Sequence, residues 1–160
     1  MQPVTIICVG RLKDAFFEEA SAEYLKRLKP YAKMNTVEIK QAPLSDAPSQ
    51  TEIDRALEAE GAEIIRKIPP NSTVIAMCIE GKQFSSEDFS RVFTEAALSG
   101  RAGVTFVIGG SCGLSERVKR MADIKMSMSK MTFPHRLARI MLLEQIYRAF
   151  KIASGEKYHK

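Results

Sequence analysis

Three short runs, apolar almost without interruption, constrain this chain more than anything else in it: residues 4–9, 73–79 and 104–108. A strand with one solvated face alternates apolar and polar residues, so an unbroken run belongs to a strand buried on both faces. Between these runs lie stretches of helical spacing, as at Phe16, Phe17, Ala20, Tyr24, Leu25 and Leu28. Strand and helix in repeated succession predict an α/β fold, a mostly parallel sheet with helices on both faces. In such sheets ligands bind beyond the carboxyl ends of the strands. The loops after Ile79, Ile108 and Met128 are therefore candidate walls of a site.

Local signals divide the chain further. Asp14 caps a helix that the spacing carries to about Ala32, and residues 36–39 alternate as a second strand. Residues 41–50, rich in Pro, Ser and Asp, read as a loop. A helix over 52–68 starts acidic and stops at Pro69-Pro70. Glu80-Gly81-Lys82 reads as a turn, and Ser86 as the cap of a helix to Leu98. Ser115 caps a short helix to Met121, and residues 124–128 make a last strand. Pro134 suits the first position of a helix running to about Ser154. This helix is apolar nearly all round, where a surface helix needs one stripe. Either the helix is central in the domain or its surplus face meets a partner subunit, and the second reading predicts a homodimer. Glu144 and Arg148, four apart, pair along it. The 160 residues suit a single domain over 1–160.

Charge is distributed unevenly. Residues 111–160 hold 11 Lys/Arg against 4 Asp/Glu, whereas residues 1–110 hold 13 against 15. The excess positive charge lies with the candidate loops, which is an electrostatic footprint for a polyanion. No apolar run approaches the ~18 residues of a membrane span, and no secretory leader is visible. Cys8, Cys78 and Cys112 stand far apart with no CxxC pair. Cys8 and Cys78 fall in strand-like runs and read as buried thiols, which suits a reducing cytoplasm and no metal site.

Gly109-Gly110-Ser111-Cys112-Gly113 follows a strand and precedes a helix. Glycines there let backbone N–H groups approach a ligand closely. The run is neither GxGxxG nor a P-loop, and by itself it reads as a tight turn. Residues 128–133, Met-Ser-Lys-Met-Thr-Phe, mix exposed backbone with apolar side chains, a lining that suits a flat ligand of mixed polarity such as adenine. His135, Arg136 and Arg139 put cations in the first turns of a helix, against its dipole. A site for RNA phosphate accounts for that choice. The tail ends in Tyr158-His159-Lys160, a ring that can stack on a base and an imidazole that can move a proton near neutral pH.

Taken together, FVIGGSCGL, SMSKMTFPHRLARIMLLEQIYRAFKI and the final YHK, with VGRLKDAFFEEASAEYLKRLKPY and VIAMCIEGKQFSSEDF before them, resemble the RlmH family of ribosomal RNA methyltransferases. That family lies within the SPOUT, or α/β-knot, superfamily. The resemblance spans essentially the whole chain. It implies a deep trefoil knot in the C-terminal part, against the general rule that chains are not knotted, and a homodimer. It implies transfer of a methyl group from S-adenosylmethionine to the ring nitrogen N3 of a pseudouridine in 23S rRNA of the large subunit, free or in the assembled ribosome. Cofactor contacts then fall on Met77, Gly109, Met128, Ser129, Lys130, Met131, Thr132 and Phe133. The family typically carries Leu where Met77 stands; both are apolar, so packing against adenine survives. Tyr158 and His159, with Arg139, carry over as substrate or catalytic residues, in a site composed from both subunits.

On this reading the tail accepts the imide proton or stabilises charge, while Lys130, Arg136 and Arg139 hold rRNA phosphates. Two other classes fit parts of the chain. A non-catalytic RNA- or ribosome-binding module would use the same basic third, and binding of S-adenosylmethionine separates the two. An enzyme acting on an acidic small molecule would use the glycine loop for phosphate.

Overall fold

The computed structural model describes residues 1–158. The chain alternates as β1 (Gln2–Val9), α1 (Ala15–Leu28), β2 (Ala32–Ile39), α2 (Gln50–Lys67), β3 (Ser72–Gln83), α3 (Ser86–Leu98), β4 (Gly103–Ile108), α4 (Glu116–Met121), β5 (Ile124–Ser127) and α5 (His135–Ala153). The strands form one sheet in the order β2-β1-β4-β3-β5, every pairing parallel.

The apolar runs occupy the middle of this sheet for the reason their pattern implies. All of β4 is buried, and so is β1 from Val4 onward. Successive side chains point to opposite faces. Val4, Ile6, Cys8, Val104, Phe106 and Ile108 meet Leu28, Phe89, Phe93, Leu142 and Ile146 on one side. Ile7, Val9, Val74, Ala76 and Val107 meet Ile64, Leu114 and Val118 on the other. Helices α1, α3 and α5 therefore cover one face, and α2 and α4 the other. Burial pushes the Cys8 thiol up to about 11, so it is an inert core residue.

Several boundaries depart from the local signals. Helix α1 stops at Leu28, not near Ala32, because Pro30 has no N–H to continue it. Ala32 instead opens β2, whose first residues find partners in Gln2 and Pro3. Ser85, not Ser86, caps α3, accepting from the Asp88 N–H at 3.0 Å, while the Ser86 hydroxyl donates to Gln145 at 2.8 Å. Pro134 sits one place before the first helical residue of α5. The last strand ends at Ser127, which leaves Met128 in the loop.

The largest departure is at Glu80-Gly81-Lys82, which is not a turn. Strand β3 runs through it to Gln83. Met126 of β5 pairs first with Met77 and again with Lys82, so residues 78–81 bulge out between two registers of the same ladder. Gly81 lies directly over the β5 backbone, and a Cβ there would stand 2.5 Å from the Met126 carbonyl carbon. Only glycine permits that approach.

Helix α5 is less open than its composition suggests. Leu142, Leu143, Ile146 and Ala149 are buried, and Ser90 of α3 donates to the Ala149 carbonyl at 2.7 Å. On its other side Tyr147 meets Tyr31 and Tyr158, with ring centroids 5.9 and 4.9 Å apart. Glu144 and Arg148 pair at 2.6 Å, as their spacing implies. Gly155, at φ 66, ends the helix and turns the tail back, and Glu156 then bonds Lys151 and Tyr31.

Gly81→Ala should break the second register of the β3–β5 ladder. The expected loss is about 1–3 kcal/mol, the cost of forced overpacking, read as a lower midpoint in urea denaturation with an unchanged slope.

Candidate active site

A cleft of about 780 Å³ opens at the carboxyl ends of β3, β4 and β5. Three segments wall it. The first is the end of β3 with its bulge, Met77 to Glu80. The second is the glycine turn after β4. There Gly113, at φ 79, donates its N–H to the Gly110 carbonyl at 3.1 Å. A Cβ on Gly109 would lie 2.3 Å from the Gly113 carbonyl oxygen, so the turn closes only because no side chain is there. Gln41 ties the turn to the loop after β2 by donating to the Ser111 hydroxyl at 3.1 Å.

The third wall is the loop from β5 to α5. The Ser127 hydroxyl donates to the Ser129 carbonyl at 2.9 Å, and the Ser129 hydroxyl accepts from the Met131 N–H at 3.0 Å. These local bonds curl the loop and leave other backbone groups facing the cleft. Met77, Ile108 and Phe133 supply apolar surface, and the start of α5 closes one end with His135 and Ala138.

Charge in the cleft is sparse and specific. Glu80 and Lys119 are its only permanently charged side chains among the described residues. They pair at 2.6 Å, with Glu116 a further neighbour of Lys119 at 3.6 Å. Each holds the other ionised: the Lys119 bond lowers the Glu80 carboxyl and the same bond raises the Lys119 ammonium. Burial, then Glu80, raises the half-buried Cys78 thiol. Burial, then Arg136, lowers the His135 imidazole, which is therefore neutral at pH 7.

A family described as "Predicted SPOUT methyltransferase" matches residues 2–159. The chain belongs to this family. Ribosomal RNA large subunit methyltransferase H of Carboxydothermus hydrogenoformans is 47% identical over 98% of this chain and 99% of its own. The protein of the same name from Clostridium botulinum is 48% identical over the same shares, and a "Putative ribosomal RNA large subunit methyltransferase H" of Methanococcus maripaludis is 42% identical. Among solved structures, a probable methylase family protein from Haemophilus influenzae superposes with a TM-score of 0.53 at 12% identity, over 98% of this chain and 70% of that one. A structure titled for 2-OH methylation of C/U34 on tRNA gives 0.50 at 14% identity, over 97% and 99%. At those identities the likeness concerns the fold alone.

A SPOUT methyltransferase takes a methyl donor, and the residues expected to hold it can be placed. Met77, Gly109, Met128, Ser129, Met131, Thr132 and Phe133 all line the cleft. Lys130 is exposed and does not. Cys112 is exposed at the tip of the glycine turn, and Cys78, expected to be buried, is half-buried in the bulge. The bulge residues Cys78, Ile79 and Glu80, with Lys119, His135 and Ala138, also line it.

The helix-start arginines depart from the expectation of surface cations. Arg139 has a side chain 8% exposed and stands 3.6 Å from Glu38. Arg136 pairs with Asp14 at 3.2 Å, and its Nε is buried with no hydrogen-bond partner. Their charges brace the start of α5 against β2 and α1. Tyr158 is not in the cleft of its own chain. Its hydroxyl donates to Glu144 at 3.3 Å, and its ring lies under the Arg148 guanidinium at 4.8 Å. His159 lies outside the described residues. No group of three or more His, Cys, Asp or Glu is placed to hold a metal among the described residues. Nor is any helix among them long and apolar enough to cross a membrane.

The imidazole of His135 should titrate with an NMR midpoint below its ordinary 6.5, and Arg136→Gln should move that midpoint up. Because the folded protein disfavours the charged form, the unfolded chain binds the proton first. Stability is therefore full above pH 6.5 and falls as pH drops through the folded midpoint, a slope that His135→Gln should flatten.

Proposed function

We propose that this protein transfers a methyl group from S-adenosylmethionine to N3 of a pseudouridine in 23S rRNA. The observation that carries this reading is the cleft. Seven of the eight residues that the family resemblance assigns to the cofactor line one cavity. Its volume, about 780 Å³, falls in the roughly 300–1,000 Å³ range of small-molecule sites. The lining suits the cofactor: backbone from the glycine turn and the curled loop for the adenine edge, and Met77, Ile108 and Phe133 for its faces. The relatives' printed names supply the substrate class, large-subunit ribosomal RNA. The basic C-terminal third supports a polyanionic partner.

When bound, S-adenosylmethionine supplies a methyl activated by its sulfonium. The protein's part is to hold the target nitrogen in line, within about 3–3.5 Å of that carbon, and to receive the imide proton. Two imidazoles qualify as acceptor. His135 stands at the cleft in its neutral form, and His159 belongs to the tail. The enzyme acts as a homodimer in this reading, and the tail of one subunit serves the cleft of the other. Tyr158 supports that division, because within one chain it packs on α5 outside the cleft. Exposed Leu137 and Met131 beside the cleft mouth give a partner apolar surface to cover. The trefoil knot belongs to the same proposal. From β4 the chain crosses β3 to set β5 on its far side, an order that a threaded C-terminal part would give.

Purified protein should transfer tritiated methyl from S-adenosylmethionine to ribosomes or large subunits from cells lacking it. Mass spectrometry should locate the methyl on one pseudouridine. Removing residues 158–160 should abolish transfer and leave cofactor affinity in calorimetry within about twofold, since the cleft lining of the same chain is untouched. Loss of both would make the tail part of the fold.

A further inference from the structure

The charged pair at the cleft rim has no part in the activity described so far. Glu80 is carried out of the sheet by the β3 bulge, and its carboxylate is half-exposed. Lys119, beside it on α4, keeps only 17% of its side chain exposed. The burial is thus unequal: the ammonium is enclosed and the carboxylate faces the opening. An ion pair that served only to close the fold would have no reason to turn its acceptor outward. The carboxylate also has acceptor capacity to spare, because the Lys119 ammonium and its own backbone N–H leave some of its several lone pairs unused. No other carboxylate lines the cleft among the described residues.

We infer that Glu80 accepts hydrogen bonds from the ribose hydroxyls of the bound nucleoside, and that Lys119 holds it in position. This rests on the reading of the cleft as the S-adenosylmethionine site. A carboxylate at the end of a parallel strand is a general solution for gripping a ribose, since both hydroxyls can donate to it. Here the bulge performs that task in place of a strand end. It lets β3 continue its ladder with β5 while Met77 faces the base and Glu80, three residues on, reaches the sugar. Lys119 contributes by fixing the rotamer and keeping the carboxylate charged, so its remaining lone pairs stay available as acceptors. Glu80 is then a binding residue and Lys119 a positioning residue.

Calorimetry on the full-length protein tests this with three probes: S-adenosylhomocysteine, 5′-methylthioadenosine, which lacks the amino-acid end, and the 2′-deoxy form of the latter. Glu80→Gln should weaken the first two alike, by about tenfold or more, the scale of a hydrogen bond to a charged group. The wild type should discriminate against the deoxy probe, and Glu80→Gln should not. Lys119→Met should reproduce part of the loss and Lys119→Arg restore it, while circular dichroism shows each variant folded. Weakening of S-adenosylhomocysteine alone would mean that the carboxylate meets the ammonium of the amino-acid end and would overturn the assignment. So would unchanged affinities. A wild-type protein that binds none of the probes would instead overturn the cleft reading itself, and this inference with it.

Discussion

The position of β4 governs the molecule. It is seated between β1 and β3, with all six residues buried. A strand in that place must be apolar on both faces, and its neighbours must carry helices on both faces to cover it. Phe106 and Val107, adjacent in sequence, thereby enter opposite cores. The same placement sends the chain out of the sheet at Ile108, into the glycine turn, at the point where neighbouring connections diverge. A cleft at that point follows from the topology, because no connection fills the space between segments that leave in different directions.

Strand β5 adds what the cleft needs to become specific. Four residues long, it could not hold a place in the sheet by burial alone, and only Met126 and Ser127 of it are buried. It is secured by pairing with β3 on both sides of a bulge. This one ladder then fixes two walls. The bulge pushes residues 78–81 into the rim, and the end of β5 launches the loop that carries Met128 to Phe133. The tolerance at that seam is small, as the contact of Gly81 with the Met126 backbone shows. The start of α5 is anchored separately, by Arg136 to Asp14 and Arg139 to Glu38. Cations that oppose the helix dipole are thus compensated by carboxylates from α1 and β2.

Much of the site was legible because its residue types answer to local rules. A glycine run after an apolar strand, and a short polar-apolar loop ahead of a proline, are visible without a structure. The family resemblance located seven of the residues that line the cleft. What local rules missed shares one cause. Glu80 stands in what resembles an ordinary turn, and Lys119 on a short charged helix, 39 positions later in the numbering. Neither carries a signal, because their importance lies in an ion pair between distant segments at the cleft. The pairing of Arg139 was hidden for the same reason, since its carboxylate partner Glu38 lies far off in sequence on β2. Lys130, which the family resemblance assigns to the cofactor, is exposed and lies outside the cleft lining.

The sequence by itself determined the layer architecture and two of the loops that wall the cleft, those after β4 and β5. Hydrophobic burial and backbone geometry act on neighbouring residues, so a pattern of apolar runs and glycines records them directly. Only the tertiary structure decided which charges face the cleft, which are spent in bracing it, and that a supposed turn is a bulge inside a strand. Those outcomes depend on pairing between distant segments. The alignment of β3 with β5 and of α4 with the bulge is set by the packing of the whole sheet, and no stretch of sequence carries it alone.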